Sequence, residues 1–474
     1  MNLFEYQEIA VNKFFANKGR LLCAMPTGTG KTIVATAIIK KEYQQNKNVK
    51  ILIVTPAGLK FNFIETFKKV NLKIPASEVL NAKLLEDYYK DYNILVISYN
   101  FLRGHLDELL QYHFDLLVVD EFHYAKSKGG NTARAVLAIR KQVSQILAMT
   151  ASPYSNNPTE FINLLYIITL DKALCKFIAQ EQIVYKAISV DTPMGKRKKI
   201  MPSGLKNPST VRKLLNPWIF WPSDKTISKS KPKVQPRYFT IITEITPEEY
   251  AQYKYVIGQI PIQILKRLIL GTITPREINK IMGWLIAGQE TLLSPSYLEN
   301  KLPALPGSKI KFLGELIKKK REKSIVFSSF VEYGINPTVT YLNRIGIKTK
   351  AYIGAVKQSE RSQLISDFEE GDLEVLCISS AGAEGINLPS AKNIYFLNVH
   401  FNPEVMKQIE GRALRITSTN DYVNMVYMLA RYQNKPLIDD WILNIARAKQ
   451  VFRNNIFQAI QESRFYHDGF KVGI

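Results

Sequence analysis

The runs "RLLCAM", "VKILIVTP", "NILVISY", "FDLLVVDE" and "SQILAMTAS" punctuate the first third of the chain. They are apolar almost without interruption, and polar loops bound each of them. A strand with one wet face would alternate apolar and polar residues; a strand apolar throughout is buried on both faces, as in parallel sheets covered by helices. Helix-length stretches separate the runs, so the segment reads as a doubly wound α/β domain. A second set, "KSIVFSSF", "KTKAYIG", "EVLCISSAG" and "NIYFLNV", follows the linker-like "LPALPGS" (302–308). The expected organisation is one α/β domain over 1–170, a basic and partly helical insertion over 171–301, and a second α/β domain over 302–474.

Between residues 171 and 240 there are 15 Lys or Arg against 4 Asp or Glu, so this stretch carries +11 of a formal net charge of +23. Such a balance points to a polyanion, nucleic acid before an anionic membrane surface. Lys196, Arg197, Lys198 and Lys199, in "GKRKK", are expected to touch phosphates; a solvated loop or an import signal would use the same residues. Cys23, Cys175 and Cys377 are odd in number and far apart, which gives neither a disulfide framework nor zinc spacing. No apolar run reaches membrane-spanning length, and Glu5 lies where a signal segment would be basic. A soluble, intracellular and cytoplasmic monomer without membrane association is expected.

Each run of the first set ends in residues able to do chemistry, and open parallel sheets bind ligands at that edge. "MPTGTGKT" (25–32) follows the first run. Its glycines let backbone N–H groups close around an anion, and the next helix aims its positive end at the same spot. Lys31 supplies a mobile charge for outer phosphates, and the Thr32 hydroxyl is a hard ligand suited to Mg²⁺. A Gly-rich turn with a chance Gly-Lys-Thr is the plainer alternative. Asp120 and Glu121 follow another run: Asp120 suits Mg²⁺ held through water, Glu121 the orientation or deprotonation of an attacking water. In "MTASP" (149–153), Thr150 and Ser152 could bond His123; a simple Ser-Pro turn fits the same residues.

In "QIEGRALRI", Gln408, Arg412 and Arg415 lie at i, i+4 and i+7 and would share one helix face. Gly411 keeps that face thin. Two guanidinium forks suit a phosphate gaining charge as it leaves. A solvated basic face would carry the same spacing.

In this order the segments resemble helicase superfamily two, and within it the Swi/Snf-like ATPases. "LFEYQEIAVNKF" resembles their opening Gln motif, "VTPAGLKFNF" motif Ia, "VISYNFLR" the next nucleic-acid-contacting motif, and "VVDEFHYAKS" motif II. "MTASPYSNNPTEFINLLYII" is similar to the motif III region, "IVFSSF" to motif IV, "SSAGAEGINL" to motif V and "QIEGRALR" to motif VI. The stretch from "SSAGAEGINL" to "ALRI" looks closest to viral nucleoside triphosphatase I and related viral or phage motors. Met25 in motif I, Phe122 where Ala is usual and "HFNP" where Trp-Asn-Pro is common depart from the pattern without removing a catalytic group.

The resemblance implies two RecA-like domains with ATP and Mg²⁺ in the cleft between them. Gln7 would read adenine. Thr27, Gly28, Thr29, Gly30, Lys31, Thr32 and Gly385 would bind ATP, with Thr32 and Asp120 toward the metal. Lys31, Asp120, Glu121, Arg412 and Arg415 would be catalytic. His123, Thr150, Ser152 and Gln408 would couple nucleotide state to the rest of the protein. Nucleic acid would be touched by Thr55, Ser98, Tyr99, Ser328 and Ser379. The expected function is a DNA-stimulated ATPase translocating on duplex DNA. The alternative is a strand-separating DNA or RNA helicase, including a viral transcription-termination or release ATPase, and single-stranded DNA or RNA is the second choice of track. The intact set Lys31, Asp120, Glu121, Arg412 and Arg415 argues against a non-catalytic binding module.

Overall fold

In a computed structural model, residues 2–447 are described apart from 152–157, 193–194, 223–226, 228–233, 271, 300–302, 381, 383–385, 416–417 and 419. They fall into two compact units, within 1–232 and 233–450.

The first unit is built on β1 (Arg20–Ala24), β2 (Ile51–Thr55), β3 (Ala76–Glu78), β4 (Ile94–Ser98), β5 (Leu116–Val119) and β6 (Gln145–Thr150). Next come β7 (Ile183–Thr192), β8 (Gly195–Leu205) and the two-residue β9 (Ile219–Phe220). The sheet order is β3-β4-β2-β5-β6-β1-β9, parallel throughout, while β7 and β8 pair antiparallel in a separate hairpin. All five residues of β2 and of β4 are buried, as two covered faces require. Leu22, Leu52, Leu95 and Leu117 share one core cluster with Val136, Leu164 and Ile168 from covering helices. Each such side chain contributes about 1.5–3 kcal/mol by burial, far more than the helix propensities at stake.

The second unit contains β10 (Gln235–Glu244), β11 (Ser324–Phe327), β12 (Thr349–Tyr352), β13 (Val375–Ile378), β14 (Asn393–Phe396) and β15 (Tyr422–Tyr432). They run parallel in the order β10-β15-β14-β11-β13-β12. Between β10 and β11 lie the helices Pro247–Ile257, Ile262–Ile269 and Pro275–Thr291. The first and third begin in capping boxes, Thr246 with Glu249 and Thr274 with Glu277.

Residues 171–301 therefore do not form one insertion. Ile219 and Phe220 pair with Leu22 and Cys23 of the first sheet, and Trp218 and Trp221 pack on its core. Gln235–Glu244 pairs along its whole length with β15. The division falls inside the basic stretch because backbone pairing, not charge, assigns each part.

Candidate nucleotide site

Register brings the chemistry of the first unit to one edge. Ala24 lies beside Thr150, Thr55 beside Ser98, and Val54 beside Val119, so the strands end together. Met25 continues β1 with its side chain buried and its sulfur 3.2 Å from Cys23 Sγ. Only its carbonyl faces the loop, so the departure from the motif leaves the loop's geometry to the backbone.

Gly28 and Gly30 have φ of 76° and 81°, left-handed values that favour glycine. A Cβ on Gly30 would stand 2.5 Å from Gln7 Nε2, so a side chain is barred twice over. Gly30 caps the helix Lys31–Gln45 without a side-chain bond, which leaves no side-chain oxygen in the place an anion would take. Thr29 Oγ1 donates to the Pro26 carbonyl at 2.7 Å, while Lys31 Nζ donates to the Met25 and Pro26 carbonyls at 3.1 and 3.3 Å. Lys31 thus lies folded over the loop it would serve. Thr27, Gly28 and Thr32 are half-buried.

Gln7 is engaged on both sides: Nε2 donates to the Thr29 carbonyl at 3.0 Å and Oε1 accepts from Phe4 N at 3.0 Å. Tyr6 donates to the same Thr29 carbonyl at 2.9 Å. Sequence alone does not single out Tyr6, because a tyrosine beside Gln7 looks like core; its burial is indeed nearly complete. The signal is the hydroxyl, which a buried tyrosine must satisfy.

Asp120 is buried, and burial with the neighbouring Glu121 charge pushes its carboxyl well above the usual range. Lys31 and the Thr55 hydroxyl, 3.3 Å from Oδ2, pull the other way. A buried carboxylate pressed toward protonation gains from a cation, and Thr32 and Asp120 offer the hard oxygens Mg²⁺ prefers. Among the described residues no group of three or more His, Cys, Asp or Glu gathers as a metal cluster. Mg²⁺ commonly takes one or two protein ligands and completes its shell with water and phosphate, so the donor set fits it. Glu121 has φ 45°, a strained backbone for a residue with a side chain. His123 Nδ1 lies 3.3 Å from Glu121 Oε2 and 3.4 Å from Thr150 Oγ1, joining the acidic pair to β6. Ser152 lies outside the described residues.

The positions expected to touch nucleic acid are buried, with their hydroxyls spent inside their own units. Thr55 bonds Asp120, Ser98 accepts from Phe101 N at 3.1 Å, and Tyr99 donates to the Asp120 carbonyl at 2.6 Å. In the second unit, Ser328 Oγ lies 3.2 Å from Asn398 Oδ1, and Ser379 Oγ accepts from Gly382 N at 3.1 Å. These residues shape the edges from within. Lys196, Arg197, Lys198 and Lys199 lie on the backbone of β8, and their side chains are outside the described residues, as is Gly385 entirely.

The helix Pro403–Ala413 carries half-buried Gln408 and buried Arg412, but it ends before Arg415. The three do not share one helix face as their spacing predicts, because Arg415 N turns back to the Ala413 carbonyl at 2.8 Å. Both guanidiniums nevertheless converge: Arg412 Nη1 and Arg415 Nη2 each lie 3.3 Å from the Ile386 carbonyl. The turn delivers by backbone what the helix would have delivered by periodicity.

Residues 1–155 match the family model of the type III restriction enzyme res subunit, and residues 308–417 that of the helicase conserved C-terminal domain. In both halves the chain is similar to helicases of superfamily two. It is 24% identical over 515 aligned residues to the ATP-dependent helicase fft1 of Schizosaccharomyces pombe, covering 96% of this chain and 53% of the relative. The SWI/SNF-related matrix-associated actin-dependent regulator of chromatin subfamily A-like protein 1 of Xenopus laevis is likewise 24% identical, over 94% of this chain and 43% of its own length. The chain thus spans about half the length of these relatives. The Hef helicase domain of Pyrococcus furiosus shares the fold, with a TM-score of 0.52 at 17% identity over 94% of this chain and 98% of that one. Phe122, where the resemblance leads one to expect a smaller residue, is fully buried, and a larger core side chain there leaves Asp120 and Glu121 at the sheet edge. Among the described residues no helix is long and apolar enough to cross a membrane.

Proposed function

We propose that this chain is an ATP-driven motor that translocates along duplex DNA. The observation that carries the reading is the meeting, at one sheet edge, of the left-handed loop before Lys31 with buried Asp120 and strained Glu121. The loop amides, Lys31 and the helix end bind and orient the outer phosphates. Thr32 and Asp120 hold Mg²⁺, which neutralises phosphate charge when bound. Glu121 orients the attacking water and accepts its proton, while His123 and Thr150 fix Glu121. Arg412 and Arg415 of the second unit stabilise charge on the departing phosphate, so both units are needed for turnover.

Duplex DNA as the track is supported by the formal charge of +23 and by likeness to a SWI/SNF-related relative. The antiparallel hairpin β7–β8, outside both large sheets, favours strand separation as a second reading, since such a hairpin could divide a duplex. A place among viral or phage motors rests on residues 379–416 alone. ATPase rates without polymer and with duplex DNA, single-stranded DNA or RNA test the reading. Stimulation by duplex DNA, together with displacement of a triplex-forming strand but no unwinding of a plain duplex, is expected. Equal rates in all four conditions would sink the motor.

A further inference from the structure

Glu410 sits on the arginine-bearing helix two residues before Arg412, is 8% exposed, and makes no salt bridge among the described residues. Two phenols hold its carboxylate: Tyr238 of β10 donates to Oε2 at 3.1 Å and Tyr427 of β15 donates to Oε1 at 3.2 Å. The strands are adjacent, with Thr240 beside Tyr427, and the Tyr427 ring stacks on Phe396 at 4.9 Å. We propose that Tyr238, Glu410 and Tyr427 form a positioning set that fixes the helix end carrying Arg412 and, through it, the following turn that carries Arg415. This assignment rests on the motor reading above.

Stability alone does not explain a carboxylate here. Met406, Ile409 and Ala413 of the same helix already pack into the core with Val423 and Met425. Burial pushes the Glu410 carboxyl up, the mark of a charge the site disfavours, and an apolar residue would be cheaper to bury. A carboxylate gripped through both oxygens does what greasy contacts do not: it sets the rotation and axial position of the helix. Beyond it, Leu388 N donates to the Arg412 carbonyl at 2.9 Å, and both guanidiniums meet Ile386. Directional bonds therefore hold the helix end on two sides. That matters because a misplacement of about 1 Å can lower turnover by about 10²-fold.

The test uses the whole chain and duplex DNA, comparing wild type with Tyr238→Phe, Tyr427→Phe, the double variant and Glu410→Leu. The rings stay in place in the phenylalanine variants, so folding is preserved. We expect a fall in kcat of a few-fold for each single variant and about 10- to 100-fold for the double, with KM for ATP within about two-fold; the thermal midpoint should fall as well, most in the double variant, because a buried carboxyl losing its donors is costly. Glu410→Leu should be at least as stable as wild type yet as slow as the double variant, a split that a merely structural role would not produce. A double variant with wild-type kcat, or a stable Glu410→Leu variant with wild-type kcat, overturns the positioning set while the motor stands. A wild type that hydrolyses no ATP with any polymer overturns the motor reading and this assignment with it.

Discussion

The two units present opposite chemistries at the sites they contribute. The first unit offers a loop of backbone N–H groups, one lysine and buried Asp120 beside half-buried Glu121; the second offers two arginines gathered on a single carbonyl. The acidic edge can bind and orient but has little cation to spare for new negative charge, since Lys31 already answers to Asp120. The arginine end brings two guanidiniums. On the proposed reading, holding the phosphates falls to the first unit and answering the departing charge to the second, and substitutions can show whether the two separate.

The largest effect is expected at the arginine end. Arg412→Ala should lower DNA-stimulated turnover by about 10³-fold or more, as removal of an arginine that stabilises a departing phosphate does, with nucleotide affinity retained. Lys31→Ala should abolish turnover too, but with nucleotide binding abolished and DNA affinity within a few-fold. Fluorescent-nucleotide titration beside the rate assay separates the two. Equal weakening of nucleotide affinity in both variants would break the division.

How far that division is legible in the sequence depends on burial. Strands such as Ile51–Thr55 are plain because a doubly covered strand is apolar at nearly every position, and the glycine loop declares its own backbone. Gln235–Glu244 is less legible, since it is largely exposed and its apolar residues come as two pairs broken by Thr240. Ile219–Phe220 is too short to signal, and tertiary pairing alone makes it a strand. Family likeness puts Thr55, Ser98 and Tyr99 at the right edge but not under it, because only packing decides which side of a hydroxyl is wet. The i+7 spacing gives Arg415 the right neighbour for the wrong reason: periodicity cannot foresee that the helix stops at Ala413.

A smaller effect concerns the basic hairpin, which neither chemistry needs. Neutralising Lys196, Arg197, Lys198 and Lys199 should flatten the salt dependence of duplex binding, by roughly 0.9 in the log–log slope for each phosphate no longer neutralised. Sequence preference and DNA-free ATPase should not change. An unaltered slope would show that these charges do not meet the backbone.

The smallest effect contrasts two carboxyls that burial pushes upward. Asp120 has Lys31 to restrain the shift, whereas desolvation alone acts on Glu290 and raises it to about 7. A folded value above the ordinary 4.5 means that the folded state holds its proton longer, so this contribution is complete in acid and is lost as pH rises through about 7. Glu290→Gln should raise the thermal midpoint at pH 8 and leave it unchanged near pH 4. Melting curves at both values check this, and equal shifts would mean the carboxyl is not strained by its charge.

The pairing of β10 with β15 also has a consequence during synthesis. Nearly two hundred residues separate Gln235 from its partner Tyr422, and β10 exposes Tyr238, Phe239 and Ile242. On a ribosome adding about 5–20 residues per second, this strand leaves the tunnel and waits roughly 10–40 s for a partner not yet translated. Through that interval a bare, sticky strand edge stands open to any neighbouring chain. The nascent protein is most vulnerable there, and a holding chaperone or a slow-codon pause late in the message would act on this segment first.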